Sequence, residues 1–98
     1  MRRKIGGIIL LCTLSLLAIS QQKPLKVACI GNSVTYGYGL PNRDSTNYPA
    51  RLQHLLGPGY AVKNFGVSGS TLLKKGHRPY YKTAAFGEAL AFAPDIAV

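Results

Sequence analysis

The chain is poor in acidic side chains. Among its 98 residues there are three Asp and Glu but twelve Lys and Arg, which gives a formal net charge of +9. A strongly basic chain can indicate nucleic-acid binding. Three of the basic residues, however, lie within the first four positions, and most of the others are scattered along the chain. The charge is therefore weak evidence about partners, and we expect no binding to nucleic acid.

Cysteine and histidine are also scarce, with two of each. Cys12 lies in the leader described below, so Cys29 is the single thiol of the remaining chain and cannot form an internal disulfide. Cys29 is surrounded by apolar residues, which predicts a buried packing role. His54 and His77 stand apart from the few carboxylates, so we expect no metal site. Neither of the common glycine-rich nucleotide-binding motifs follows the first apolar segment, so we expect no nucleotide cofactor.

The first twenty residues have the pattern of a secretory signal peptide. The basic start Met1–Lys4 is followed by a mostly apolar run, and Ala18 and Ser20 place small residues where a signal peptidase reads them. The apolar run is shorter than the roughly 20 residues that a membrane-spanning helix needs, although an uncleaved anchor is the alternative. We predict a signal peptide over 1–20 and one domain over 21–98. The protein is then periplasmic or secreted and meets the membrane only during export.

The remaining chain alternates between strand and helix patterns. Short apolar segments bounded by glycine and proline predict strands, and helical spacing of leucines or runs of helix-forming residues predict helices. The predicted strands are Leu25–Ile30, Tyr60–Phe65 and a third that starts within Asp95–Val98, and the predicted helices are Tyr48–Leu56 and Lys82–Phe92. This order predicts an α/β fold with a parallel sheet and helices on its faces.

A glycine-rich turn follows each of the first two predicted strands. The first turn carries Ser33 and the second carries Gly69. Both turns fall at the carboxyl edge of the predicted sheet, where such folds bind ligands. A serine on a glycine-flanked turn after a strand can act as a nucleophile, and a glycine can bring a backbone N–H close to a reacting oxygen. The structural alternatives are a helix N-cap for Ser33 and an ordinary turn glycine for Gly69, but the two positions together favour catalysis.

The two turns resemble the conserved blocks of the SGNH (GDSL-type) hydrolases. Gly31-Asn32-Ser33-Val34-Thr35-Tyr36-Gly37 is similar to the first block, Gly-Asp-Ser-x-Thr-x-Gly, with Asn32 in place of aspartate, and Asn64–Thr71 is similar to the second. The resemblance is strongest to the carbohydrate O-acetylesterases of the family, such as sialate and xylan acetylesterases. It implies a three-layer α/β/α fold related to flavodoxin. It also implies that Ser33 is the nucleophile and that the N–H groups of Ser33 and Gly69 bind the oxyanion of a carbohydrate ester.

Two further parts of that family's pattern have no counterpart in this sequence. The Gly-x-Asn-Asp block follows the third strand in the family, and the Asp-x-x-His motif that supplies the base lies far downstream. Asp44 is followed three residues later by Asn47, and Asp95 by Val98, so neither begins the second motif. We therefore expect residues 1–98 to be the amino-terminal part of a longer esterase and to be inactive alone. The alternatives are an inactive truncated product and a ligand-binding module without catalysis.

Several other side chains are weaker candidates for substrate contact. Asn32 and Tyr36 belong to the first turn, and aromatic faces pack well against sugar rings; Tyr38, Tyr80 and Tyr81 share this property, with core packing as the alternative. The basic segment around Lys74, Lys75 and Arg78 is expected to be a solvated loop, with pairing to an acidic sugar such as sialic acid as the alternative.

Overall fold

A computed structural model describes residues 22–98, so the predicted signal peptide lies outside the described residues. These residues form a three-stranded parallel sheet in the order β2-β1-β3. Strand β1 spans Leu25–Gly31, β2 spans Tyr60–Gly66 and β3 spans Ile96–Ala97. Strand β1 is central, because Val27 is paired with Val62 on one side and with Ile96 on the other. The predicted parallel α/β fold is confirmed, and the strand order agrees with a flavodoxin-like sheet.

Four α-helices connect the strands within residues 22–98. Two single-turn helices, α1 (Ser33–Tyr36) and α2 (Arg43–Thr46), precede α3 (Tyr48–Leu56), and α4 (Ala84–Phe92) precedes β3. The bounds of α3 agree with the sequence prediction because its end signals are local: the Asn47 side chain accepts a hydrogen bond from the Ala50 N–H, and Gly57 ends the helix. None of the helices within residues 22–98 is long and apolar enough to cross a membrane.

The two longer helices cover opposite faces of the sheet. Ala89 of α4 packs with Ala28 and Phe65 in a buried cluster, and the Phe92 ring lies 5.5 Å from that of Phe65. On the other face, α3 packs on β2, with Pro49 in its first turn fully buried. Burying these apolar side chains supplies the main favourable free energy of the fold. The result is the predicted three-layer arrangement.

Side-chain amides cover the outer edge of β2. Within the described residues this strand pairs only with β1, so its other edge presents unpaired backbone groups. The Gln53 amide donates to the Tyr60 carbonyl at 2.9 Å and accepts from the Val62 N–H at 2.7 Å. Asn64 accepts from the Gly66 N–H at 2.8 Å. Helix α3 is thereby attached to the edge of the sheet by hydrogen bonds as well as by apolar contact.

Two details of the predicted helices were wrong. Helix α4 begins at Ala84 and not at Lys82, because Tyr80–Lys82 form a 3₁₀ turn and the Thr83 hydroxyl donates to the Tyr80 carbonyl at 2.7 Å. In α3, the helical spacing of Leu52, Leu55 and Leu56 predicted one apolar side, but Leu55 is 79% exposed. Pro49 and Gln53 face the sheet, and Leu55 lies about 200° around the helix from Gln53 and therefore on the opposite side.

Candidate active site

Ser33 lies at the first position of α1, directly after the carboxyl end of β1. The N-cap of this helix is Asn32, whose side-chain oxygen accepts a hydrogen bond from the Val34 N–H at 3.2 Å. The N-cap role considered for Ser33 from the sequence therefore belongs to its neighbour. Neither the hydroxyl nor the N–H of Ser33 has a hydrogen-bond partner within residues 22–98. A half-buried serine whose donor groups are free in this way can present both to a ligand.

Close contact between α1 and the ends of two strands holds Ser33 in place. A Cβ added at Gly31 would collide with the Thr35 hydroxyl, and one added at Gly66 would collide with the backbone N of Tyr36. Both positions therefore require glycine for reasons of space. Asn64 contributes a hydrogen bond, because its amide donates to the Thr35 carbonyl at 2.8 Å. The short helix is thus fixed to β1 and β2 together.

The second turn carries Gly69, which has the left-handed backbone angle φ = +83° that favours glycine. Its N–H also has no acceptor within the described part of the chain. The next residue, Ser70, is buried and donates through its hydroxyl to the Val67 carbonyl at 2.8 Å. Beyond it, the Thr71 N–H donates to the Arg78 carbonyl and the Tyr80 N–H donates to the Thr71 carbonyl. These bonds close the loop of residues 72–78 at its base.

The two turns meet at one small cavity. The Val67 N–H donates to the Gly31 carbonyl at 2.9 Å, which joins the second turn to the first. Residues of both turns line a cavity of about 170 Å³, namely Gly31, Asn32, Ser70, Thr71 and Leu72. Ser33 follows Asn32 in the chain, and Gly69 precedes Ser70. The structure therefore brings the neighbours of both candidate residues to one place at the carboxyl edge of β1, while the catalytic roles of Ser33 and Gly69 stay predictions.

The other aromatic candidates lie elsewhere. The Tyr36 ring stacks on the Arg43 guanidinium at 4.0 Å and lines a separate cavity of about 380 Å³ beside α3 and β2. Tyr80 is buried and donates to the Phe65 carbonyl at 2.6 Å, so it belongs to the core and not to a sugar-binding wall. Tyr38 and Tyr81 are exposed. A substrate contact by Asn32 or Tyr36 stays a prediction, with Asn32 the better placed of the two.

The described residues bring no general base to the cavity beside Ser33. His54 is exposed on α3, and His77 lines a different cavity beyond the second turn. Asp95 is at the opposite edge of the sheet, where its carboxylate accepts from the Lys26 N–H at 2.8 Å. Asp44 pairs with the adjacent Arg43. No group of three or more metal-ligating side chains is assembled within residues 22–98.

Sequence reasoning missed two residues that shape the site. Asn64 was placed in the second motif without a role, yet it connects α1 to the end of β2 through two hydrogen bonds of 2.8 Å. Tyr80 was considered as a wall of a ligand site, yet its hydroxyl supports the strand that leads into the second turn. The signal for Asn64 is its position just before the glycine turn, where an amide can satisfy backbone groups. No local pattern identifies the partner of Tyr80.

Comparison with known proteins finds a related esterase sequence. The chain is 53% identical over 78 residues to an acetylxylan esterase of Xylanibacter ruminicola, and the matched segment covers 80% of this chain but 16% of that protein. The chain thus spans about a sixth of the length of this relative. No family model matches the chain, and no solved structure matches it. Identity at this level shows that the chain is related to a carbohydrate esterase.

Proposed function

We propose that this chain forms the nucleophile-bearing part of an exported SGNH-type serine esterase that removes acetyl groups from carbohydrate. The observation that carries the proposal is that Asn32, and not Ser33, caps the helix of the first turn. Asn32 caps α1, which leaves the Ser33 hydroxyl and N–H free beside a cavity shared with the second turn. The relationship to an acetylxylan esterase supports an acetylated polysaccharide as the substrate class.

In the proposed reaction, the Ser33 oxygen attacks the ester carbonyl carbon while its proton passes to a general base. The carbonyl oxygen becomes an oxyanion that accepts hydrogen bonds from the N–H groups of Ser33 and Gly69. The bond to the sugar oxygen then breaks, and the base returns the proton to the departing sugar hydroxyl. Water attacks the acetylated serine in the same way, releases acetate and restores Ser33.

Residues 22–98 bring no general base to Ser33. We propose that a histidine from a segment following Val98 supplies it, together with a further oxyanion donor. The pairing of Val98 with β1 supports this arrangement, since the Ile30 N–H donates to the Val98 carbonyl at 2.7 Å. A continuation of β3 would run toward the first turn, because parallel strands end at the same edge of a sheet.

The test is Ser33→Ala in the full-length protein, assayed on acetylated xylo-oligosaccharide. Loss of the nucleophile is expected to lower kcat by about 10⁴-fold or more. Ser45→Ala is the matched control, because Ser45 is exposed and its hydroxyl bonds only the Asn42 carbonyl. Residues 22–98 expressed alone are expected to show no activity above background. Full activity in the Ser33→Ala protein would refute the proposal.

A further inference from the structure

A further cavity lies beside the second turn, and its lining includes basic side chains. It has a volume of about 480 Å³, and its lining includes Val67 of the second turn together with His77, Arg78 and Lys82. No carboxylate belongs to its lining. The single ion pair within residues 22–98 is that of Arg43 with Asp44, so the charges of Arg78 and Lys82 are not neutralised by the described part of the chain.

The cavity adjoins the candidate oxyanion turn directly. The Arg78 guanidinium donates to the Ser68 carbonyl at 3.4 Å, and its Nη1 atom lies 3.3 Å from the place that a Cβ at Gly69 would occupy. A group bound to Arg78 therefore lies next to the turn that carries Gly69. The loop that carries Arg78 also presents Lys74 and Lys75 as exposed cations. Together these charges attract anions toward this side of the site.

The start of α4 adds backbone donors to the same cavity. Thr83, Ala84 and Ala85 line it, and the Thr83 hydroxyl is used by the Tyr80 carbonyl and does not cap the helix. The Phe86 N–H donates to the Thr83 carbonyl at 3.3 Å, but the N–H groups of Ala84 and Ala85 have no acceptor within residues 22–98 and can meet a ligand. The planar guanidinium of Arg78 and the ammonium of Lys82, next to backbone donors, suit a carboxylate.

We propose that this cavity binds the carboxylate of an acidic sugar, such as a uronic acid residue, adjacent to the acetylated sugar. This inference rests on the proposed esterase function, which it extends by naming the substrate class. Arg78 and Lys82 pair with the carboxylate, and the sugar ring occupies the space between the second turn and α4. The enzyme accordingly prefers acetylated chains that carry uronic acid over neutral ones.

The test compares two substrates on the full-length protein: acetylated neutral xylo-oligosaccharide, and the same oligosaccharide with a glucuronic acid branch. The ratio of their kcat/KM values is expected to favour the acidic substrate. The double variant Arg78→Gln/Lys82→Gln is expected to lower that ratio about fivefold, as expected for partly exposed charge pairs. Lys23→Gln/Arg51→Gln removes the same charge at two exposed positions outside the cavity lining and is expected to leave the ratio unchanged. The single variant Lys82→Gln separates charge loss from any shift of the second turn, which Arg78 contacts.

A binding measurement makes the result independent of catalysis. Sodium glucuronate, glucose and inorganic phosphate are titrated against the protein by NMR, with signals of Val67 and Ala84 as reporters. Glucuronate is expected to shift these signals, and glucose is expected to leave them unchanged. A response to phosphate alone would overturn the assignment to an acidic sugar. One outcome is that the neutral substrate is still hydrolysed in a Ser33-dependent way while neither the kcat/KM ratio nor the NMR titration depends on Arg78 and Lys82. In that case this inference fails and the proposed function stands. If no ester is hydrolysed, the proposed function fails and the titration still decides whether the cavity binds a carboxylate.

Discussion

The two glycine turns at the carboxyl edge of the sheet are held in different ways. The first turn has a local cap, since Asn32 caps α1 and the Thr35 side chain fills the space beside Gly31, and it is also held by Asn64 and Gly66 at the end of β2. The second turn depends on residues further along, through the pairing of Thr71 with the segment of Arg78 and Tyr80. Local signals can specify the cap of the first turn, whereas the second turn requires the loop of residues 72–78 to close.

The largest effects on stability are expected from substitutions at Gly66 and Gly69. Gly66→Ala is expected to cost about 3 kcal/mol, because the new methyl meets the rigid backbone of α1. Gly69→Ala is expected to cost about 1 kcal/mol, since its neighbour is the movable end of Arg78 and the main cost is the positive φ. Urea unfolding of each variant measures the difference in free energy. Gly59→Ala is the control, with nothing within 4 Å of the added Cβ. Equal losses at Gly66 and Gly69 would contradict the expected difference between a close contact with the backbone of the first turn and a contact with the movable side chain of Arg78.

A smaller effect is expected at Tyr80, which supports the second turn from the core. Tyr80→Phe removes the 2.6 Å bond to the Phe65 carbonyl and is expected to cost about 1.5 kcal/mol. Tyr81→Phe, at an exposed neighbouring ring, is expected to stay within about 0.5 kcal/mol of the parent protein. Thermal unfolding at neutral pH measures both variants. Similar losses for the two would mean that the buried hydroxyl bond contributes little.

The variants Tyr80→Phe and Tyr81→Phe are also expected to differ in how their Tm depends on pH. Burial, and next the charge of Glu88, raise the pKa of Tyr80 above its ordinary value of 10.0. The unfolded chain therefore loses this proton first, so the stabilisation is complete below pH 10 and is lost as the pH rises through the folded-state pKa. Burial likewise raises the pKa of the Cys29 thiol above 9.0, but both variants keep Cys29, so it does not change the difference between them. The decline of Tm above pH 10 should be shallower for Tyr80→Phe than for Tyr81→Phe.

The smallest effect is expected at the cap of the first turn. Asn32→Ala removes the acceptor for the Val34 N–H and is expected to cost about 1 kcal/mol. Asn32→Asp keeps an acceptor oxygen at the same place and should retain most of the stability. Urea unfolding of the two variants, side by side, checks the role assigned to Asn32. A loss in the Asp variant as large as in the Ala variant would show that the cap is not what stabilises the turn.

Much of this fold could be predicted because its signals are short-range. The strand positions follow from apolar runs bounded by glycine and proline, and α3 follows from a cap, an early proline and a terminal glycine. The location of both turns at one edge follows from strand alternation alone. The start of α4 could not be predicted, because the Thr83 hydroxyl bonds backward to Tyr80 and shortens the helix. The exposure of Leu55 could not be predicted either, since it depends on which side of α3 faces the sheet.

The sequence by itself determined the α/β order, the two turns and the choice of Ser33 and Gly69 as candidates, since each rests on residues adjacent in the chain. Only the tertiary structure decided which residue caps α1, which tyrosine is core and which cavity each side chain lines. Asn64 illustrates the reason, because it acts on Thr35, which is 29 residues earlier in the chain. Contacts of that kind depend on how strands align and helices pack, and no local pattern encodes them. The basic cavity beside Gly69 is likewise assembled only when the second turn and the start of α4 come together.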